Sequence, residues 1–163
     1  MMRGSRRCTP LALTTTAFAC YTAVMLTLER RMRRTGGPGI IPFEFAGTVH
    51  RADQILSSWG EDGRRAARWS LWLDFGYMLT YGAMTALLVD RARRRRGHSA
   101  ALPVLVVPAV AADAVEGVSL LNVLANSTVA ANARRAKAAA LVKFGFLVTA
   151  LGYVLADRLA PRN

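Results

Sequence analysis

The chain has 163 residues, 53% of them apolar, and a formal charge of +12. Its apolar residues gather in long blocks, which indicates a membrane protein and speaks against a soluble helical domain, whose helices would each pair an apolar stripe with a polar face. All but two of the 22 basic residues are arginine, the exceptions being Lys137 and Lys143, and the arginines cluster at block ends, so the partner they point to is anionic lipid headgroups and not nucleic acid.

The first block, residues 10–28, carries no charge and follows Arg3, Arg6 and Arg7. Basic residues ahead of an apolar run also describe a signal peptide, and Ala17-Phe-Ala-Cys20 resembles a weak lipoprotein cleavage box. The run continues through Tyr21 to Leu26, however, so an uncleaved first span is expected. Cys8 and Cys20, on one helix, would stand about 18 Å apart, too far for a disulfide.

The longest connection follows. It opens with Arg30, Arg31, Arg33 and Arg34, becomes irregular at Gly36-Gly-Pro-Gly39 and runs through Ile40-Ile-Pro-Phe-Glu-Phe45. Thr48 then suits a helix N-cap ahead of Val49, Ala52, Ile55, Leu56 and Trp59, a stripe at spacings of three and four that ends at Gly60. This predicts a short amphipathic helix over 48–59, lying on the membrane or capping the bundle. Arg64, Arg65 and Arg68 with Trp69 and Trp72 have the pattern of an interfacial belt, which makes the second block, 70–89, the inner part of one long helix.

Residues 90–99 are a short basic connection. Residues 100–124 form the third block, with Pro103 and Pro108 near its start, 126–137 are polar enough for a turn, and 138–156 form the fourth block. Each block is close to the ~20 residues that cross ~30 Å of hydrocarbon. The blocks are too long for barrel strands and lack period-two alternation. The expected fold is therefore all-α: one membrane domain over 1–163, a multi-pass four-helix bundle of the cell membrane with an interfacial helix between its first two spans. Arg91 to Arg96, the densest basic run in a short loop, favours cytoplasmic termini. Gly76, Gly82, Gly145 and Gly152 would permit close helix contacts and a homo-oligomer.

Ionisable groups inside such blocks cost at least ~2.5 kcal/mol each near a helix centre, and persist where they pair, line a wet cavity or do chemistry. Here they are Asp74, Asp113, Glu116 and Lys143. With neighbouring helices antiparallel, Asp74, Glu116 and Lys143 fall in the half nearest the long connection, and Asp113 lies one turn deeper. Tyr77 and Tyr81 share a face with Asp74 and offer hydroxyl donors, and Ser119, Asn122 and Asn126 form a second polar stripe. One reading is an ion-pair network that fixes helix register, with Lys143 bridging Asp74 and Glu116. Three carboxylates facing one lysine leave an imbalance, to be met by protons, by Arg68 reaching inward or by a cationic ligand. That imbalance supports two functional readings: binding or transport of a small cation or amphiphile, or acid–base chemistry on a lipid-like substrate with Glu116 or Asp113 carrying the proton. A pocket open to lipid would favour the enzyme, one open to water on the side of the long connection would favour binding, and a filled core would favour the purely structural role. No metal site is expected, since His50 and His98 lie outside the blocks, and no cofactor, since no phosphate loop or HExxH motif is present.

Through Ile55-Leu-Ser-Ser-Trp59-Gly60, Ser70-Leu-Trp-Leu-Asp74-Phe75 with Tyr81, Asp113-Ala-Val-Glu116 and Lys143-Phe144, the chain resembles a family of small, uncharacterised bacterial four-span integral membrane proteins. The similar stretches reach from about residue 44 to 157. Such proteins often have Asn directly after the glutamate, where this chain has Gly117. The resemblance implies a four-helix membrane bundle and brings no activity with it.

Overall fold

The computed structural model describes residues 9–159, so Arg3, Arg6, Arg7, Cys8 and Arg162 lie outside the described residues. The protein is all-helical, with no strand among the described residues. Helix α1 (Pro10–Arg34) starts where Thr9 accepts a hydrogen bond from the Ala12 amide and Pro10 takes the first turn. It outruns the first apolar block because Glu29 and Arg33 pair one turn apart and the arginines beyond are good helix formers. Helix α2 (Ile40–Glu44) is a single turn that buries Phe43 and Glu44.

Helix α3 (Val49–Arg96) is capped by Thr48 and broken at Gly60, whose φ of 58° and ψ of −162° are closed to other residues. Its first arm, 49–59, packs Ala52, Ile55 and Trp59 against Met32, Phe43, Ala66, Leu120, Val123 and Ala136. The amphipathic stripe therefore covers the end of the bundle. Val49, expected on that stripe, is exposed. Trp59 is fully buried, edge-on to Phe43 with ring centroids 5.0 Å apart, and donates its indole N–H to the Pro38 carbonyl. The long arm, 61–96, ends at Gly97 in the left-handed region.

A 3-10 turn (Leu102–Leu105) leads into α4 (Val106–Leu124), and α5 (Val129–Leu159) completes the chain. Pro103 sits in the 3-10 turn and Pro108 in the first turn of α4, where no helical amide partner is lost. The polar stretch expected to turn between 126 and 137 is mostly helix, and the reversal is confined to a few residues. Asn126 and Thr128 take positive φ there, and the buried Asn132 side chain donates to the Ser127 and Thr128 carbonyls.

Among the described residues, three helices are long and apolar enough to cross a membrane: Pro10–Arg34, Leu102–Leu124 and Val129–Leu159. The block at 70–89 is less apolar because it carries Asp74, Tyr77, Thr80, Tyr81 and Thr85. The long arm of α3 is central, touching α1, α4 and α5, whereas α1 has its main packing on α3 alone. Small residues set the close approaches. Ala109, Ala136, Ala140 and Ala150 are buried, Gly76 lies under Tyr21, and Gly82 lies under Val110. Gly145 and Gly152 face open space. At the end away from the long connection, Asp157 of α5 binds Arg95 at 3.3 Å and Arg96 at 3.2 Å, and His98 meets the Tyr153 hydroxyl at 2.9 Å. Nearby, the hydrogen bonds of Arg94 and Arg93 hold the Asp90 carboxyl below its ordinary pKa.

Candidate functional site

Lys143 lies on α5 at a point where α4 presents Asp113 and Glu116, one helical turn apart on one face. Its Nζ donates to Asp113 Oδ1 at 2.9 Å and to Glu116 Oε1 at 2.9 Å, with Glu116 Oε2 in ionic contact at 2.8 Å. A third carboxylate arrives from the turn of α2, where Glu44 Oε2 lies 3.4 Å from the same ammonium. All four side chains are buried. The ammonium is also 4.9 Å from the ring centroid of Phe144, which stacks on Phe45 next to Glu44. Its three donors are thereby committed, with more carboxylate oxygens around it than it has hydrogens.

The Tyr81 hydroxyl donates to Asp113 Oδ2 at 2.5 Å, so Asp113 links the lysine to α3. Asp74, two helical turns from Tyr81 along α3, lines the same cavity as Asp113 and is not among the lysine's partners. The expected bridge thus runs to Asp113, Glu116 and Glu44, with Asp74 at its edge. Tyr77 stands apart from the carboxylates: its hydroxyl meets Thr22 Oγ1 at 3.1 Å and its ring stacks on Phe18 at 5.3 Å, joining α3 to α1. The second polar stripe does not converge either. Ser119 turns back to the Val115 carbonyl, Asn126 is exposed in the turn, and Arg68 is exposed to the outside.

Glu44 escaped the sequence reading because it lies outside the apolar blocks. The available signal was a lone acid inside Ile40-Ile-Pro-Phe-Glu-Phe45, between two glycine-bounded turns, where an apolar segment too short to span must pack on something. Glu44 and Glu116 adjoin, and burial pushes the Glu44 carboxyl above its ordinary pKa while the Lys143 charge opposes that rise. Three carboxyls now contact one ammonium, and a fourth, Asp74, lines the same cavity. A dry interior cannot hold that excess as bare charge, so protons or a positively charged guest must offset it.

The cluster opens onto a cavity of about 710 Å³. Asp74, Asp113, Lys143 and Glu44 reach its surface, and apolar side chains such as Phe18, Met25, Leu147 and Leu151 supply most of the remaining wall. The cavity lies between α1 and α5 with α3 behind, and Glu29, Arg30 and Arg33 edge it near the long connection. Glu29 is fixed there, accepting from the Ile40 amide at 2.9 Å and pairing with Arg33 at 2.8 Å. Chemically, the arrangement provides an apolar channel with hydrogen-bond acceptors and exchangeable protons at one end. Among the described residues no group of His, Cys, Asp and Glu forms a metal-holding set, and the Lys143 ammonium occupies the centre of the carboxylates. Comparison with protein families, with curated proteins and with solved structures found no match to the chain.

Proposed function

We propose that the protein is a four-span membrane protein that binds an amphiphile in the cavity between α1, α3 and α5, with the guest's polar end against the carboxylates and its chain along the apolar wall. The observation that carries this reading is the cavity itself, in which acid groups buried from the outside meet an apolar surface large enough for an acyl or alkyl chain. The excess of carboxyls over ammonium favours a cationic or hydrogen-bond-donating head over an anionic one. The fourth span is residues 70–89: the long arm of α3 runs antiparallel between α1 and α4 and leaves Trp69, Trp72 and Leu79 exposed, as a lipid-facing helix would. Leu13, Leu26, Leu141, Val148 and Leu155 are exposed on the outer helices in the same way. On this reading the first arm of α3 lies at the interface and covers the bundle. The charged rim at Glu29, Arg30 and Arg33 supports binding over turnover, and the commitment of all three Lys143 donors supports it further.

The test compares a long-chain alkylamine with an alkyl sulfate of equal length, added to the purified protein in detergent. The amine should bind and the sulfate should not. Leu147→Trp, which fills the cavity, should abolish amine binding, while Leu155→Trp on the exposed face of α5 should leave it intact. Equal binding of both probes, or indifference to Leu147→Trp, would refute the proposal. Chemical conversion of a bound lipid-like compound that is lost with Asp113→Asn would instead establish the acid–base reading.

A further inference from the structure

The arginine run at the end of α1 serves two places. Arg30 and Arg33 edge the cavity described above, whereas Arg31 and Arg34, one residue later on the helix, line a second concavity of about 520 Å³ between α1 and the long arm of α3. From α3 come Arg65, Asp62 and Trp69, and buried Leu28 and Ala66 form the floor. A basic last turn on α1 is accounted for by the negative end of its helix dipole. Arg65 is not, because it stands near the start of the long arm, where an acid such as Asp62 is the ordinary choice. Arg31 and Arg34 have no carboxylate partner among the described residues, and Arg65 has only a 3.4 Å contact to Glu61, which is 91% exposed. Such an exposed pair holds weakly. Three guanidiniums from two helices therefore converge on one hollow with little of their charge committed, above an apolar floor and beside an exposed tryptophan.

We propose that Arg31, Arg34 and Arg65 form a seat for the phosphate of an anionic membrane lipid, with Trp69 against its glycerol region. Guanidinium forks match phosphate oxygens in pairs, and indole rings settle at headgroup depth. Arg68, on the same helix but outside the hollow, marks the difference between a seat and a general basic belt. The proposal rests on the membrane reading of α3 but not on the amphiphile cavity, which opens on another face of α1.

The experiment is lipid retention by the purified full chain, read by native mass spectrometry after exposure to an equal mixture of phosphatidylglycerol and phosphatidylcholine. Wild type should retain phosphatidylglycerol selectively. Replacing Arg31, Arg34 and Arg65 by Gln should reduce that selectivity by about fivefold per arginine. The equally charged control Arg51→Gln/Arg68→Gln/Arg91→Gln should preserve it. Equal loss in both triples would reduce the effect to diffuse charge and overturn the seat, as would no loss in either. Displacement of the lipid by inorganic phosphate alone would assign the hollow to free phosphate and overturn the lipid as its source. Asp62→Asn removes the hollow's own acid and should raise selectivity, which keeps the proposal testable if the arginine triple fails to fold; an unchanged ratio counts against it. Membrane extraction is a separate measurement, so failure of the membrane reading and failure of the seat are distinguishable.

Discussion

Lys143 is the only cation in direct contact with Asp113, Glu116 and Glu44 among the described residues, and its removal leaves those carboxyls facing one another. Lys143→Met should therefore destabilise the bundle by about 3–5 kcal/mol, the usual consequence of stranding a buried charge. Combining it with Asp113→Asn or Glu116→Gln should recover part of the loss, because each removes an acid the lysine was offsetting. The same cycle with Asp74→Asn should show weaker coupling, since Asp74 is not among the carboxylates in ionic contact with the ammonium. Detergent thermal denaturation of the single and double variants measures all three couplings. Strong coupling to Asp74 with none to Asp113 would contradict the geometry. Lys143→Arg is not a conservative replacement here, since a planar fork cannot direct donors to three carboxylates converging from α2 and α4.

At the scale of elements, Gly60 decides where the first arm of α3 lies. No atom comes within 4 Å of the place a Cβ would take, so Gly60→Ala adds no clash and tests backbone conformation alone. It should cost about 1–3 kcal/mol, the range for a non-glycine residue forced into that region. Gly63→Ala, whose added carbon would meet the Trp59 side chain at 2.7 Å, should also destabilise, but through packing. Thermal stability and Trp59 fluorescence, read in a Trp69→Phe/Trp72→Phe background, separate the cases: Gly60→Ala should loosen the whole arm and expose Trp59, and an unchanged emission with full stability would remove the glycine from the account.

The same elements show what the sequence made legible. Thr48 and Gly60 bounded the arm correctly because a cap and a positive-φ stop are local events. The apolar blocks located the helices because burial or lipid exposure acts on whole stretches. The helix ends were less readable, since alanine-rich and arginine-rich segments such as 129–137 are good helix formers without being apolar. Asp74, Glu116 and Lys143 were read at one depth, with Asp113 a turn deeper, because depth follows from antiparallel packing; which carboxylates reach the lysine was not readable, and Asp113 does so while Asp74 does not and Tyr77 bonds to Thr22. Glu44 was not found, because its depth depends on how the connection over 35–48, with the single turn of α2 inside it, folds back onto the bundle, and no period encodes that.

For the molecule as a whole, four crossings require both ends of the described chain on one side of the membrane, whereas three crossings place them on opposite sides. Cysteines introduced at Thr9 and Leu159 in a background lacking the native ones should thus label from the same side in sealed vesicles. Cysteine at Ser99 should label from that side too, and cysteine at Ser57 from the other. The protein should also stay in the pellet after alkaline carbonate treatment, because crossing helices are not displaced by breaking electrostatic contacts. Opposite labelling of Thr9 and Leu159 would mean that residues 70–89 do not cross, and recovery in the supernatant would remove the membrane reading altogether.

The arginine run also behaves like a message with a reading frame. Successive residues of a helix point about 100° apart, so Arg30 and Arg33 serve one hollow, Arg31 and Arg34 the other, and Met32 between them has no exposed surface at all. One neutral, helix-forming residue inserted earlier in α1 would keep the net charge and the helix, yet every letter would be delivered to its neighbour's address. Arg31 would arrive at the sealed position of Met32, and Met32 would move onto the rim where Arg33 had paired with Glu29. What α1 carries is therefore phase as much as charge, and two sites on opposite flanks of one helix are bound to the same count.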